Sequence, residues 1–248
     1  MIKVVPAKEL SLKQKTQLLK MLEPSWESPE QVLEVWHPDI DTYLFIMNGK
    51  KIEAVGSWKI HKVENKKFPI GIKMVLFAVS KEAQGKGYGT KITLLSFLHS
   101  FKEARKKYGS HKMLYWGLSA NPIVINSYLK HFPFYITPRL DNSYNKDYES
   151  VATSIVKYIG KEHLVPPQNP FLIKKCVQHN FTKKEVDIQN SYIKKLGENF
   201  RLDLDIANND RVLLILGAFK SKIDYLKLYL LYQYLNIRTQ LKKLFKFK

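Results

Sequence analysis

A glycine-rich turn between a strand-like run and a helix-like run holds the residues most able to do chemistry in this sequence. Gly85, Gly87 and Gly89 follow the apolar run 74–79 and precede the apolar stretch 92–98. Glycine adopts positive φ at little cost and lets a ligand approach the backbone closely. The start of a helix offers unpaired N–H groups and the positive end of the helix dipole to an anion. The turn therefore predicts a site for a cofactor that carries a diphosphate.

The spacing of the turn argues against two other phosphate-binding motifs. A P-loop has Lys and then Ser or Thr after its last glycine, whereas Gly89 is followed by Thr90 and Lys91. The dinucleotide fingerprint is G-x-G-x-x-G with an acidic residue about 20 residues later. This turn is G-x-G-x-G, without a convincing acid at that distance. The pattern that remains is Q/R-x-x-G-x-G/A, filled by Gln84, Gly87 and Gly89.

This pattern resembles the acetyl-CoA signature of the GNAT superfamily of N-acyltransferases. A second block agrees, because a strand-like run at 113–118 is followed by Asn121 and, seven residues later, by Tyr128, a spacing typical of GNAT proteins. Phe134 keeps the aromatic residue of the family pattern, whereas Pro133 stands where glycine is usual. The sequence departs from the family at that position.

The resemblance implies an α/β fold with a mixed, partly splayed β-sheet flanked by helices. It covers residues 1–140, which we expect to form a GNAT-like domain that binds acyl-CoA. Residues 141–248 have no comparable match, and we expect an α-rich C-terminal extension that could pack on the same core. The Pro-rich segment 165–170 interrupts the extension.

Local signals predict the elements that position the turn. Ser11 and Gln14 form a capping-box pattern that starts a helix, and Ser28-Pro29 starts a second one. The second helix is expected to face inward through four apolar residues, Val32, Leu33, Val35 and Trp36. Strands are predicted at 2–5, 42–47, 52–60, 68–79, 113–118 and 211–216, and a further helix at 183–196.

The last segment, from Ser221, predicts a long helix with one apolar stripe. The stripe comprises Ile223, Leu226, Leu230, Tyr234, Ile237, Leu241 and Leu244, at spacings of three and four. Such a stripe is expected to pack on the preceding strand. A dimer surface, or a basic amphipathic helix on an anionic membrane, is the alternative.

The GNAT resemblance implies acyl transfer from acyl-CoA to an amine through a tetrahedral intermediate, with acetyl-CoA as the expected co-substrate and no metal. The diphosphate would be held by the turn: Gln84, Gly85, Lys86, Gly87, Tyr88, Gly89 and Thr90. Phe77 and Val79, on the preceding strand, would hold the pantetheine arm. Asn121 would hold a polar group of the same arm, and it also suits a helix N-cap.

The resemblance also suggests how protons move. Tyr128 matches the family's general acid, and a phenol with a pKa near ~10 is protonated at neutral pH. Many GNAT proteins carry a Glu on the strand before the turn, but the run 74–79 has no acid. Glu53 is the first candidate for a general base and His61 the second, although either could be an ordinary strand residue. A base is not required if the amine arrives neutral.

Composition narrows the class of protein. The 248 residues are 45% hydrophobic and carry a net charge of +19, which draws anions such as CoA or nucleic acid. The single cysteine, Cys176, excludes an internal disulfide and fits a reducing compartment, so we expect a cytoplasmic protein. The first residues do not resemble a secretory signal, and no run approaches the ~20 apolar residues of a membrane span.

Three alternatives stay open at this stage. The acceptor amine could belong to a small molecule, a protein or a nucleic acid; for tRNA or DNA modification, Tyr135, Tyr144 and Tyr148 would stack on bases. The chain could instead bind acyl-CoA without catalysis, or acylate at a membrane surface through the terminal helix, although membrane contact is not what we expect. A homodimer is a further alternative.

Overall fold

The computed structural model describes residues 1–131, 139, 143–166, 169–174, 180–199, 201–202, 204 and 211–245. Its strands are β1 Ile2–Pro6, β2 Thr42–Asn48, β3 Lys51–Lys62, β4 Ile70–Val79, β5 Met113–Ser119, β6 Leu172–Lys174 and β7 Arg211–Phe219. Its helices are α1 Leu12–Leu22, α2 Pro29–Trp36, α3 Tyr88–Tyr108, α4 Pro122–His131, α5 Glu149–Tyr158, α6 Lys183–Leu196 and α7 Lys222–Phe245.

All seven strands belong to one mixed sheet in the order β1-β2-β3-β4-β5-β7-β6. Neighbouring strands are antiparallel except β4 and β5, which run parallel. Helices α3 and α7 cover one face over a continuous apolar core. The other face carries two cores, one under α1 and α2 and one under α5 beside β5 and β7. The predicted α/β class, a mixed sheet flanked by helices, is confirmed.

The predicted splay lies between β4 and β5. The two strands pair only from Ile70 with Met113 to Lys73 with Trp116, and then separate. The β3–β4 register shifts just beyond that point, where Ser57 accepts a hydrogen bond from the Leu76 N–H at 3.0 Å. A β-bulge bends its strand and increases the local twist. The bulge thus turns the second half of β4 away from β5 and opens a cleft between them.

Most predicted elements form where local signals placed them. Two expectations on packing are wrong, one for α2 and one for α7. The Ser11–Gln14 capping box is present at the start of α1, and α6 spans the predicted 183–196. In α2, Val32 and Leu33 are buried as expected, whereas Val35 is 56% exposed. Strand β6 was not predicted, because three residues are too few to show a periodic pattern.

Helix α7 packs through a different face from the one the sequence indicated. Leu228 is buried against the core, and Tyr225, Leu231, Tyr232 and Leu235 pack beside it. Among the described side chains of the predicted stripe, the large apolar residues are exposed: Ile223, Leu226, Leu230, Tyr234 and Ile237. The helix has apolar residues on both faces, so periodicity alone could not decide which face is buried.

The C-terminal extension contributes strands β6 and β7 to the same sheet, and β7 pairs with β5 from Met113 to Ser119. The division at residue 140 stays a prediction. Pro133, Phe134, Tyr135 and Cys176 lie outside the described residues. None of the helices in the described ranges has both the length and the apolar character needed to cross a bilayer.

Candidate functional site

The glycine turn leads directly from β4 into α3. A short 3-10 helix, Lys81–Ala83, follows β4, and the chain then reaches Gly87, which is the N-cap of α3. Gly85 and Gly87 both have φ of +76°, a conformation that side chains with a Cβ rarely adopt. The two glycines therefore determine the path of the turn.

The start of α3 presents backbone N–H groups that have no backbone partner in the described structure. The first helical hydrogen bond runs from the Lys91 N–H to the Gly87 carbonyl at 3.2 Å, so the N–H groups of Tyr88, Gly89 and Thr90 precede it. No side chain caps this end, and its first turn holds no acidic residue. The Lys86 N–H, expected to bind phosphate, instead donates to the Ala83 carbonyl at 3.3 Å.

Space beside the turn is open. A Cβ placed on Gly85, Gly87 or Gly89 would meet no atom within 4 Å. Gln84 is exposed, and its N–H donates to the Ser80 carbonyl at 3.1 Å. A bulky anion can thus approach the backbone of the turn, and the free N–H groups suit a phosphate.

The edge of β4 that faces β5 has no strand partner beyond Lys73 among the described residues. Phe77 lies in this unpaired part and lines the cleft, and Val79 ends the strand just before the turn. Unpaired N–H and C=O groups of a strand edge can bond the amides of an extended ligand. This edge leads from the cleft to the glycine turn without interruption.

The cleft between the splayed strands has a volume of about 940 Å³, its open mouth included. One wall is formed by β4 together with Trp26 and Trp36, from the segment after α1 and the end of α2. The opposite wall is formed by the ends of β5 and β7 and by α4. Phe181 and Glu185, from the C-terminal extension, complete the lining.

Tyr128 lies on α4 and lines the cleft. Its ring meets the Phe97 ring edge-on, with 6.0 Å between centroids, which fixes the direction of the side chain. Burial raises the pKa of Tyr128 well above its ordinary value, because the charged phenolate would be poorly solvated. The hydroxyl is therefore protonated at neutral pH and can donate a hydrogen bond or a proton.

Asn121 serves as the N-cap of α4. Its side-chain oxygen accepts from the N–H of Ile123 at 2.9 Å and of Val124 at 3.3 Å. Its Nδ2 donates to Glu185 Oε1 at 3.2 Å. The capping role anticipated for this residue is present, and its oxygen is thereby occupied.

Glu53 is not among the described residues that line the cleft, and its role as the first candidate base stays a prediction. It lies at the register shift between β2 and β3 and is 8% exposed. Its carboxylate accepts from Asn48 Nδ2 at 3.4 Å, and its hydrogen bond to the Tyr88 hydroxyl helps to raise the pKa of Tyr88, after burial. Glu53 therefore holds the first residue of α3 in place.

His61 is likewise enclosed away from the cleft. Its Nε2 accepts from the Trp116 indole N–H at 2.9 Å, so the proton lies on Nδ1, which donates to the Lys62 carbonyl at 3.0 Å. The Tyr158 ring stacks on it with 3.8 Å between centroids. Burial lowers the pKa of His61 to about 4, and the neutral ring serves the core.

Glu185 is the acidic residue that the structure places in the cleft, and sequence reasoning missed it. The pattern Thr182-x-x-Glu185 resembles a capping box and the Thr182 side chain does cap α6, so a local signal existed for a helix start. No local signal connected that helix with Asn121. The aromatic residues Trp26, Trp36 and Phe181 were missed for the same reason.

Comparisons with known proteins give likenesses of overall structure. No protein-family model and no curated protein sequence matches the chain. Solved structures that it resembles include the Bacillus subtilis acetyltransferase in complex with CoA, at 12% identity and a TM-score of 0.38, covering 87% of this chain and 97% of that one. An acetyltransferase of the GNAT family from Streptococcus pneumoniae matches at 10% identity and a TM-score of 0.43, covering 88% and 98%. Such likenesses assign neither a reaction nor an acceptor to this chain.

Proposed function

We propose that this protein is a GNAT-type N-acyltransferase that moves an acyl group, with acetyl as the first choice, from acyl-CoA to an amine. One observation carries the proposal. The unpaired edge of β4 runs from a cleft that contains Tyr128 to the start of α3, where the N–H groups of Tyr88, Gly89 and Thr90 have no backbone partner in the described structure and the space beside the glycines is open. Such an arrangement suits an extended ligand that carries amides along its length and a diphosphate at one end.

The residues divide this work by their positions. The N–H groups of Tyr88, Gly89 and Thr90 bind the diphosphate, and the helix dipole of α3 favours its negative charge. The β4 edge around Phe77 and Val79 binds the pantetheine amides. Acetyl-CoA, when bound, supplies the thioester that is the acyl donor.

Tyr128 supplies a proton to the departing sulfur. Because burial raises the pKa of Tyr128, the hydroxyl retains its proton until a thiolate forms beside it. Glu53 has no role as a base in this proposal, because it is engaged at the start of α3 and lies outside the cleft.

Calorimetric binding of acetyl-CoA and CoA tests the cofactor site, with Gly89→Glu and Gly89→Gln as matched variants. Position 89 has open space around a Cβ and no positive φ, so both side chains fit. A Glu in the first turn of a helix favours the folded state, so the variant is expected to fold. Glutamate, however, repels a diphosphate at this position, whereas glutamine of the same size does not.

We expect the wild type to bind CoA, the Gln variant to bind more weakly, and the Glu variant to lose at least tenfold more affinity than the Gln variant. Equal losses in the two variants would show that the anion is not held at the α3 N-terminus. No CoA binding by a folded wild type would refute the acyltransferase proposal.

A further inference from the structure

We propose that the acceptor is a primary amine that binds as an ammonium ion, carried on a flat aromatic body, and that Glu185 binds this cation and takes its proton. The proposal rests on the proposed function, because it names the acceptor of the same cleft. It adds a residue from the C-terminal extension to the reaction.

The cleft is acidic in its described part. Glu185 is the only charged residue among the described side chains that line it. The whole chain carries a net charge of +19, so an acidic cleft residue stands out against the basic character of the chain. In the described part of the lining, a single carboxylate among otherwise neutral, largely apolar side chains favours a small cation over an anionic acceptor. A nucleic acid is disfavoured here for the same reason.

The carboxylate of Glu185 is oriented but not neutralised. Oε1 accepts from Asn121 Nδ2 at 3.2 Å and from Gln189 Nε2 at 3.1 Å. Among the described residues, Oε2 accepts only a long contact from Ser25 Oγ at 3.4 Å. No Lys, Arg or His of the described structure forms an ion pair with it. A carboxylate offers about four acceptor positions. Oε2 therefore retains capacity for a charged donor.

Aromatic side chains line the same cleft as Glu185. The rings of Trp26 and Phe181 lie 4.4 Å apart, and Trp36 meets Trp26 edge-on at 5.3 Å. All three rings line the cleft. Trp26 and Trp36 are partly exposed, whereas Phe181 is buried at 7% exposure. Indole faces attract cations and stack on flat apolar groups. This wall suits an aromatic body better than a long polar chain.

Backbone contacts hold the two contributing segments together. Trp26 and Phe181 form an isolated antiparallel bridge, and the Glu27 N–H donates to the Asn180 carbonyl at 3.2 Å. The Thr182 N–H donates to the Ser25 carbonyl at 3.0 Å. The acceptor pocket is thus a built feature, shared between the N-terminal region and the extension.

The ammonium group gives one proton to Glu185, and the freed nitrogen lone pair forms a bond to the thioester carbon. The C–S bond then breaks, its electron pair goes to sulfur, and the thiolate takes the proton of Tyr128. The nitrogen loses its second proton, which restores the Tyr128 hydroxyl through solvent. Glu185 then releases its proton to solvent, so the products are the N-acyl amine, CoA as its thiol and one released proton.

Calorimetry on the full chain, with and without CoA, tests the acceptor class. The probes are 2-phenylethylamine, its uncharged analogue 2-phenylethanol, and spermidine as a cation without an aromatic body. The variants are Glu185→Gln, which removes the charge and keeps the shape, and Asp187→Asn, which removes an exposed charge two residues along α6 outside the cleft. CoA binding is measured on every preparation.

We expect 2-phenylethylamine to bind the wild type more tightly than either other probe. Glu185→Gln should weaken that binding about ten- to hundredfold, since a hydrogen bond to a charged group contributes about that much. Asp187→Asn should bind the amine as the wild type does, and the affinity for CoA should be the same in all three proteins. Equal amine affinity in the wild type and Glu185→Gln, or equal binding of the alcohol, would overturn this inference. If CoA binds and the amine does not, the inference fails and the cofactor site stands; if CoA does not bind, the proposed function fails.

Discussion

Asn121 Nδ2 donates a hydrogen bond to Glu185 Oε1 at 3.2 Å, joining two residues 64 positions apart in the chain. The same Asn121 caps α4, the helix that carries Tyr128. One side chain therefore links the position of the proposed acid, through its helix, with the orientation of the proposed base. This link connects the part of the chain before residue 140 to the part after it.

Asn121→Asp tests that link. Aspartate caps a helix as well as asparagine does, so we expect little change in stability. The variant replaces the amide that donates to Glu185 by a carboxylate oxygen. Two neighbouring carboxylates repel each other, so the state in which both are ionised is disfavoured. The affinity for 2-phenylethylamine should depend on pH more steeply than in the wild type, as calorimetry between pH 5 and 8 would reveal.

Asn121→Ser is the matched control, because serine caps the helix but lacks an amide donor. It should lower the amine affinity without the added pH dependence. Identical pH profiles in the Asp and Ser variants would contradict a direct contact between residue 121 and Glu185.

Tyr128→Phe tests the proton donor. Phenylalanine keeps the edge-on contact with Phe97 and removes only the hydroxyl. We expect turnover to fall about 10²- to 10⁴-fold, the usual range for a lost general acid. Turnover is measured by the release of the CoA thiol. The affinity for CoA should not change. Tyr229→Phe, at an exposed position of α7, is the control and should retain full turnover. Unchanged turnover in Tyr128→Phe would assign the proton to another donor.

His61 makes the stability of the fold depend on pH. Its pKa is lowered to about 4 by burial, so below its ordinary value of 6.5 the unfolded chain binds more protons than the folded one. The free energy of unfolding should therefore fall as the pH falls from about 6.5 to about 4. The loss is about 3 kcal/mol at pH 4, at about 1.4 kcal/mol per pKa unit.

His61→Gln retains an acceptor for the Trp116 indole but cannot titrate, so its urea-unfolding free energy should change less across this pH window. His163→Gln, at an exposed histidine, is the comparison and should keep the wild-type slope. A His61→Gln protein with the wild-type slope would show that another group causes the acid sensitivity.

Gly56 allows α3 to approach β3 closely, and this contact can be measured. A Cβ at position 56 would lie 2.1 Å from the Ser96 hydroxyl oxygen, which is buried without a hydrogen-bond partner among the described residues. Gly56→Ala should destabilise the fold by about 1–3 kcal/mol through overpacking. Ser96→Ala alone should change stability little, because it removes an unsatisfied polar atom.

The Gly56→Ala/Ser96→Ala double variant should recover about 1 kcal/mol or more of the loss, since the main overlap is gone. The Phe77 ring, 3.0 Å from the same Cβ, prevents full recovery. Strictly additive effects in chemical unfolding would mean that the Ser96 hydroxyl simply rotates away.

Features that depend on a few neighbouring residues were predictable from the sequence. The capping box at Ser11, the limits of α6 and the glycine turn at Gly85 and Gly87 all follow from local backbone preferences. The splay of the sheet was expected from the resemblance to GNAT proteins, but its cause, the register shift opposite Ser57, was not.

Assignments that depend on distant contacts were less successful. Glu53 was chosen because it lies on a neighbouring predicted strand, and His61 because imidazole titrates near neutral pH. Both side chains are engaged in other contacts. The predicted stripe of α7 is exposed, because that helix has apolar residues on both faces and the core takes the one around Leu228. Tyr148, which would stack on bases in the nucleic-acid alternative, is 6% exposed and belongs to the core.

The sequence by itself determined the strand, turn and helix around Gly87 and the presence of Tyr128 seven residues after Asn121, because short-range backbone preferences and spacing express these features. Only the tertiary structure decided that Glu185 lies in the cleft, 160 residues from Ser25 and 64 from Asn121. Its position depends on how α6 packs beside α4 and on the bridge between Trp26 and Phe181. Such long-range packing depends on the whole core and has no signature in any local stretch of the chain.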